Sequence, residues 1–234
     1  MPNKYLTIAT TLGLLGHSLA TPASLSNYTG AEGAGLVYSS ENNVTWTQDA
    51  NLLGTLETSL GFSNAVNAII AASPAVNDLA NAHDTPANSG HYTVTASDFY
   101  ANGKVSWFGA KAFVGYLNSI TYGGSNQWRL PTINELGRLF YTELNGTVGG
   151  GIPNTTHFIN EQAYAYFSDT DYAQNFTEAW IFVTQLGFPN HYDKLNQNYA
   201  WAVSPGQVSA VPVPSAAWLM GGGLLWFVGN RRRR

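Results

Sequence analysis

The chain contains no cysteine. That excludes disulfides, thiolate metal sites and thiol nucleophiles. For an exported protein it points to stability from core burial alone. Charge is also scarce: 10% of residues are Asp, Glu, Lys or Arg, against about 25% in an average soluble domain. Asn, Gly, Ser and Thr fill the polar role instead. A formal net charge of -4 leaves no basic footprint, which argues against a nucleic-acid partner. No Gly-x-Ser-x-Gly, phosphate-cradling glycine loop or His-x-x-x-His is present. What the chain does have is aromatic rings, 13% of its residues. These suit a packed core first and a sugar-facing surface second. Its 234 residues are enough for one good-sized core once the ends are set aside.

The most informative stretch runs from Tyr122 to Leu144. Tyr122-Gly123-Gly124-Ser125-Asn126 reads as a turn, because paired glycines accept backbone angles that other residues resist. Trp128-Arg129-Leu130 reads as a short extended piece, and Pro131 keeps Leu130 out of the helical region. Thr132 with Glu135 three residues on is the pattern of a reciprocal capping box. Ile133, Leu136, Leu139, Phe140 and Leu144 follow at helical spacing. Glu135 is therefore better explained as a cap than as a catalytic acid. Arg129 reads as a structural arginine tying loops together.

Trp128-Arg129-Leu130-Pro131-Thr132, then Glu135-Leu136, resembles the signature of the Lcl C-terminal-like family, a bacterial extracytoplasmic domain with no assigned activity. Other segments extend the resemblance over roughly residues 35–205. Gly35-Leu36-Val37-Tyr38 with Val44-Thr45-Trp46 and Asp49-Ala50 is similar to the family's opening. Val105-Ser106-Trp107 with Ala110, Ala112 and Leu117 resembles the helix before the signature, and Tyr199–Val203 its closing strand. The resemblance implies an α+β fold of the C-type lectin-like or formylglycine-generating-enzyme-like kind, with an antiparallel sheet and two or three helices. Formylglycine chemistry needs paired cysteines, so it does not carry over. The calcium motifs of sugar-binding C-type lectins, Glu-Pro-Asn and Trp-Asn-Asp, are absent.

Along the chain, Leu36–Tyr38 and Val44–Trp46 read as a hairpin turning at Glu41-Asn42-Asn43. Residues 21–34 read as a loose lead-in. Residues 51–97 read as a helical insertion, with Ser63 capping a helix that carries Val66, Ile69 and Ile70 and stops at Pro74. Trp107, Ala110, Val114 and Leu117 share one helical face. Tyr164–Phe167 and Ala179–Val183 read as strands, Gly187–Asn190 as a turn, and Tyr199–Val203 as a last strand. Helices early and antiparallel strands late give an α+β domain.

Both ends read as export signals. Lys4, the apolar stretch Tyr5–Leu15 and Ser18-Leu19-Ala20 make residues 1–20 a signal peptide, with cleavage between Ala20 and Thr21 and, as the second choice, after Ala23. Residues 206–234 read as a linker and tail: Val211-Pro212-Val213-Pro214, Trp218, an apolar run Met220–Val228, then Arg231, Arg232, Arg233 and Arg234. The apolar run is shorter than the roughly 20 residues of a stable spanning helix, and arginines behind it stay cytoplasmic. The order resembles the VPxP variant of PEP-CTERM sorting signals. That implies a Gram-negative bacterium, an exosortase-type sorting enzyme as partner, and transient tethering in the inner membrane before arrival at the cell surface or outside. A permanent anchor is the plainer alternative.

Candidate chemistry is thin, and no catalytic, cofactor or metal residue is assigned. His191-x-Asp193 is the best histidine–carboxylate pair, against a solvated turn. Asp169-x-Asp171 with Asn175 and Glu178 gathers oxygens that calcium accepts; a loop bonded to its own backbone is the simpler reading. Three functions stay open: a glycan- or matrix-binding lectin-like module, a metal-assisted extracellular enzyme acting on polysaccharide, and a purely structural matrix component.

Overall fold

The structure, a computed structural model, describes residues 24–152 and 156–209. The leader with Ala20 and Thr21, and the tail with Val211–Pro214, Trp218 and Arg231–Arg234, lie outside the described residues.

The chain opens with a three-stranded antiparallel meander, β1 (Leu25–Thr29), β2 (Gly35–Ser39) and β3 (Val44–Thr47). Helices α1 (Leu52–Leu60) and α2 (Phe62–Ala72) follow, then the hairpin β4 (Ala75–Asn77) and β5 (His91–Thr93). The short strands β6 (Phe99–Tyr100) and β7 (Lys104–Val105) lead into α3 (Trp107–Ser119). The signature helix α4 (Ile133–Arg138) continues into one π-type turn, Leu139–Glu143. The second half contributes β8 (Ala165–Asp171), β9 (Glu178–Val183), β10 (Phe188–Asp193), β11 (Asn198–Tyr199) and β12 (Val203–Pro205). The strands form a four-stranded sheet, β1-β2-β3-β12, a six-stranded sheet, β10-β9-β8-β11-β7-β6, and the β4-β5 pair. The result is an α+β domain with four helices among the described residues.

Two hydrophobic cores lie on opposite faces of the larger sheet. Ala165, Phe167, Ala179 and Ile181 pack with α1, α2 and α3, through Leu53, Ile69, Phe108, Phe113 and Leu117. Tyr166 and Phe182, the alternate residues of the same strands, face a second core with Val37, Trp46, Leu136, Phe140 and Trp201. This is the period-two alternation of a strand buried on both sides. α4 belongs to the second core, so it lies across the face of β8–β10 opposite the other helices.

Several expectations need correction. The lead-in is not loose: Leu25–Thr29 pairs residue by residue with Gly35–Ser39. Its short Leu-Ser-Asn-Tyr-Thr sequence buries no residue fully and has Asn27 at its centre, so no apolar pattern marks it, and pairing with β2 supplies what the pattern does not. Ser63 does not cap a helix. Gly61, at φ +84°, breaks the helical run into α1 and α2, and Ser63 falls inside α2. The turn assigned to Gly187–Asn190 ends at Gly187, whose amide bonds to the Val183 carbonyl. Phe188–Asp193 is instead an edge strand, where Pro189 is tolerated. Tyr199–Val203 is not one strand. Tyr199 pairs in the six-stranded sheet and Val203 in the four-stranded one. Ala200, Trp201 and Ala202 cross the core between them, all buried.

Candidate functional site

The signature is a positioning device. Gly123 and Gly124 turn the chain at φ +62° and +98°. Trp128 is buried at 2% exposure, and its indole Nε1 donates to the Tyr122 carbonyl at 2.9 Å. Arg129 exchanges backbone hydrogen bonds with Val203. Pro131 is buried, and its carbonyl accepts from the Asp169 amide. Thr132 and Glu135 form the full capping box, and the guanidinium of Arg129 grips both Glu135 oxygens at 2.8 and 2.6 Å. Burial pushes the Glu135 carboxyl up, but the hydrogen bonds and charge of Arg129 and the bonds from Thr132 outweigh it. The group therefore titrates below the usual carboxylate range. Leu130 and Leu136 are buried. The seven signature residues thus fix where α4 sits on the sheet, and the Ile133 amide ties its first turn to Thr170 of β8 at 3.2 Å.

Beside α4 the sheet face stays open. Ile133, Asn134, Gly137, Arg138, Tyr141, Phe182 and Pro189 line a cleft of about 430 Å³. Gly137 leaves the wall bare: among the described residues nothing lies within 4 Å of where its Cβ would stand. Phe182 pairs with Pro189, and the next pair on that face is Trp180 with His191. There the rings cluster. His191 stacks on Tyr172, centroids 3.8 Å apart and planes 2° off parallel, and Trp180 meets both edge-on at 5.6 and 5.9 Å. Glu178 bonds His191 Nδ1 and takes the Asn175 amide at 2.9 Å. An aromatic platform rimmed by amides, an arginine and a carboxylate therefore continues from the cleft along one strand pair.

The histidine–carboxylate reading of His191-x-Asp193 is corrected by the geometry. The two side chains share a face, but His191 engages Glu178, whereas Asp193 engages His83 Nε2 at 3.0 Å. The oxygen cluster is likewise divided. Asp169 pairs with Lys111 and Asp171 with Lys194. No group of three His, Asp or Glu among the described residues is placed to share a metal. A second open cleft, about 350 Å³, runs past Glu32, Gln48, Thr55 and Tyr122. Its Asp49 already accepts from the Asn51 amide, Thr55 Oγ1 and Asn160 Nδ2.

One centre was missed in the sequence. Lys194 is fully buried, with its ammonium between Asp78 and Asp171. The signal that was available is rarity. Between residues 24 and 209 only Lys104, Lys111, Arg129, Arg138 and Lys194 are cationic, against fourteen carboxylates, a net charge of -9.

Fold and site together define an α+β domain with an open aromatic cleft on one sheet face. The chain belongs to the Lcl C-terminal domain family, whose model matches residues 35–204. That membership is compatible with an extracellular or surface location. No curated protein and no solved structure matches the chain. Among the described residues no helix is long and apolar enough to cross a membrane.

Proposed function

We propose that the chain is an exported surface or matrix protein whose domain binds a neutral glycan along the cleft between α4 and β10. The observation that carries this reading is the Tyr172–Trp180–His191 ring cluster continuing the 430 Å³ cleft. The electron-rich faces of such rings favour the C–H faces of sugars, while Asn134 and Arg138 supply hydrogen bonds for hydroxyls. The net charge of -9 over the domain repels uronate or sulfate chains, so the ligand class is neutral or amino-bearing. The lectin-like fold implied by the family resemblance adds support by analogy alone.

The export route rests on the two termini. Ala20–Thr21 marks signal cleavage. Val211-Pro212-Val213-Pro214, Trp218 and Arg231–Arg234 suit an exosortase-type sorting enzyme acting during a pause in the inner membrane, because the arginines resist translocation. Intact mass of the protein from envelope and medium tests this. Mature chains lacking Trp218 and the arginines are expected; chains that keep Arg231–Arg234 in both fractions would make the tail a plain anchor.

The binding reading is tested by filling the cleft without touching the core. Gly137→Gln places a side chain into open space and is expected to abolish binding on a glycan array while leaving the melting temperature within a few degrees. An unchanged array profile would move the ligand elsewhere.

A further inference from the structure

Lys194 has 0% side-chain exposure. Its Nζ donates to Asp78 Oδ2 at 2.7 Å and lies 2.6 Å from Asp171 Oδ1. The Trp107 ring stands 4.3 Å away and the neighbouring Phe108 ring 5.9 Å away. Three separate elements meet here: Asp78 follows β4, Asp171 ends β8 and Lys194 follows β10. The side chain of Asp78 is 2% exposed, and its Oδ1 has no hydrogen-bond partner among the described residues. Burial favours the neutral acid at Asp78. The hydrogen bond and charge of Lys194 oppose this, Asp84 and Asp171 add to it, and the net shift is upward. Asp171 retains 25% exposure, which gives it a route to water.

We propose that Lys194 and Asp78 condense to an intramolecular isopeptide bond, with Asp171 as the proton relay. With Nζ 2.7 Å from Oδ2, the bonded carboxyl carbon is held within about 4 Å of it, and loss of the ammonium proton lets the amine turn to the carbon and close to the ~3–3.5 Å at which reacting atoms are poised. Asp171 takes one proton from the ammonium. The freed Nζ lone pair attacks Cγ of the neutral Asp78 carboxyl, forming the C–N bond. The tetrahedral adduct then breaks a C–O bond, and its hydroxyl leaves as water with a second proton from nitrogen. Asp171 returns its own proton to solvent. Nothing is oxidised or reduced and no co-reactant is consumed. Enclosure by Trp107 and Phe108 supplies the dry site, and effective molarities of about 10⁵ M or more in such arrangements offset the water that otherwise favours hydrolysis. The link would close a loop between positions 116 residues apart. In a chain without cysteine it would do the work of a disulfide, fastening the β4–β5 hairpin and its 78–90 loop to the end of β10.

The test is a peptide map of the purified full-length or naturally processed protein, digested with trypsin under denaturing conditions. The expected result is a branched peptide carrying both Asp78 and Lys194, lighter by one water than the two linear peptides combined, with no cleavage after Lys194. Asp78→Ala and Lys194→Met should each give linear peptides only. Asp171→Ala, at a partly exposed strand end, should fold and remain unlinked. Linear wild-type peptides of full mass would overturn the proposal, and this arm needs no variant to fold. A branch at Asp171 would overturn the choice of Asp78, and a fully linked Asp171→Ala protein would overturn the relay.

Discussion

Two ion-paired centres hold this domain, and they differ in almost every respect. Arg129 and Glu135 lie six residues apart within one motif, stay partly open to solvent, and meet fork to fork. Lys194 and Asp78 lie 116 residues apart, are shut off from water, and share one ammonium with Asp171. The first orients a helix that solvent and a capping box already support. The second is a buried charge that only its partners make tolerable, because desolvation of an unpaired ion costs several kcal/mol. Their response to damage should differ accordingly.

The largest effect is expected at the buried centre. Lys194→Ala leaves Asp78 and Asp171 facing each other in an apolar site and also removes the amine that the proposed link needs, and should cost at least about 3–5 kcal/mol in urea unfolding. A loss below about 1 kcal/mol would show that water reaches the carboxylates freely. Trp128→Ala comes next. It removes a buried indole and its hydrogen bond to Tyr122, and about 3–5 kcal/mol is expected. A Trp128→Ala protein as stable as wild type but unable to bind glycan would reassign the residue from scaffold to site. At the exposed centre, Thr132→Ala deletes one side of the capping box and should cost about 1 kcal/mol by the same measurement.

The smallest effect is a pH dependence with two opposing parts. Burial pushes the carboxyls of Glu57, Glu143 and Glu161 up. Such groups hold a proton in the fold where the unfolded chain has lost it, so their contribution is complete below the ordinary carboxylate value and disappears as pH rises through their folded values. Glu135 is shifted the other way, and its contribution is lost as pH falls through its lowered folded value. Stability should therefore rise modestly from neutral toward mildly acidic pH and then fall. Urea midpoints across a pH series check this, and a steady decline from neutral downward would contradict it.

The same contrast explains what the sequence made legible. The capping box, the β2–β3 hairpin and α3 are encoded within a few residues each, by Thr132 and Glu135, by Glu41-Asn42-Asn43, and by the spacing of Trp107, Ala110, Val114 and Leu117. All three are present. β1 and β10 are polar, Asn-bearing segments that become strands only because a partner strand lies alongside, so no local pattern announces them. The aromatic platform was readable as rings and not as a site, because Tyr172 reaches Trp180 and His191 only after β8, β9 and β10 align. The Lys194 centre depends on three distant segments and left only the scarcity of cations as a trace.

The central claim is that the open face of β9 and β10 beside α4 is where glycan binds. It is tested most directly by titrating neutral oligosaccharides into isotopically labelled mature protein and following the indole and imidazole signals. The account predicts that the Trp180 indole and the His191 ring shift with ligand, that Trp46 and Trp107 in the cores do not, and that Trp180→Ala weakens binding at least tenfold. Saturable binding that leaves Trp180 and His191 unmoved, and that Trp180→Ala does not alter, would contradict it.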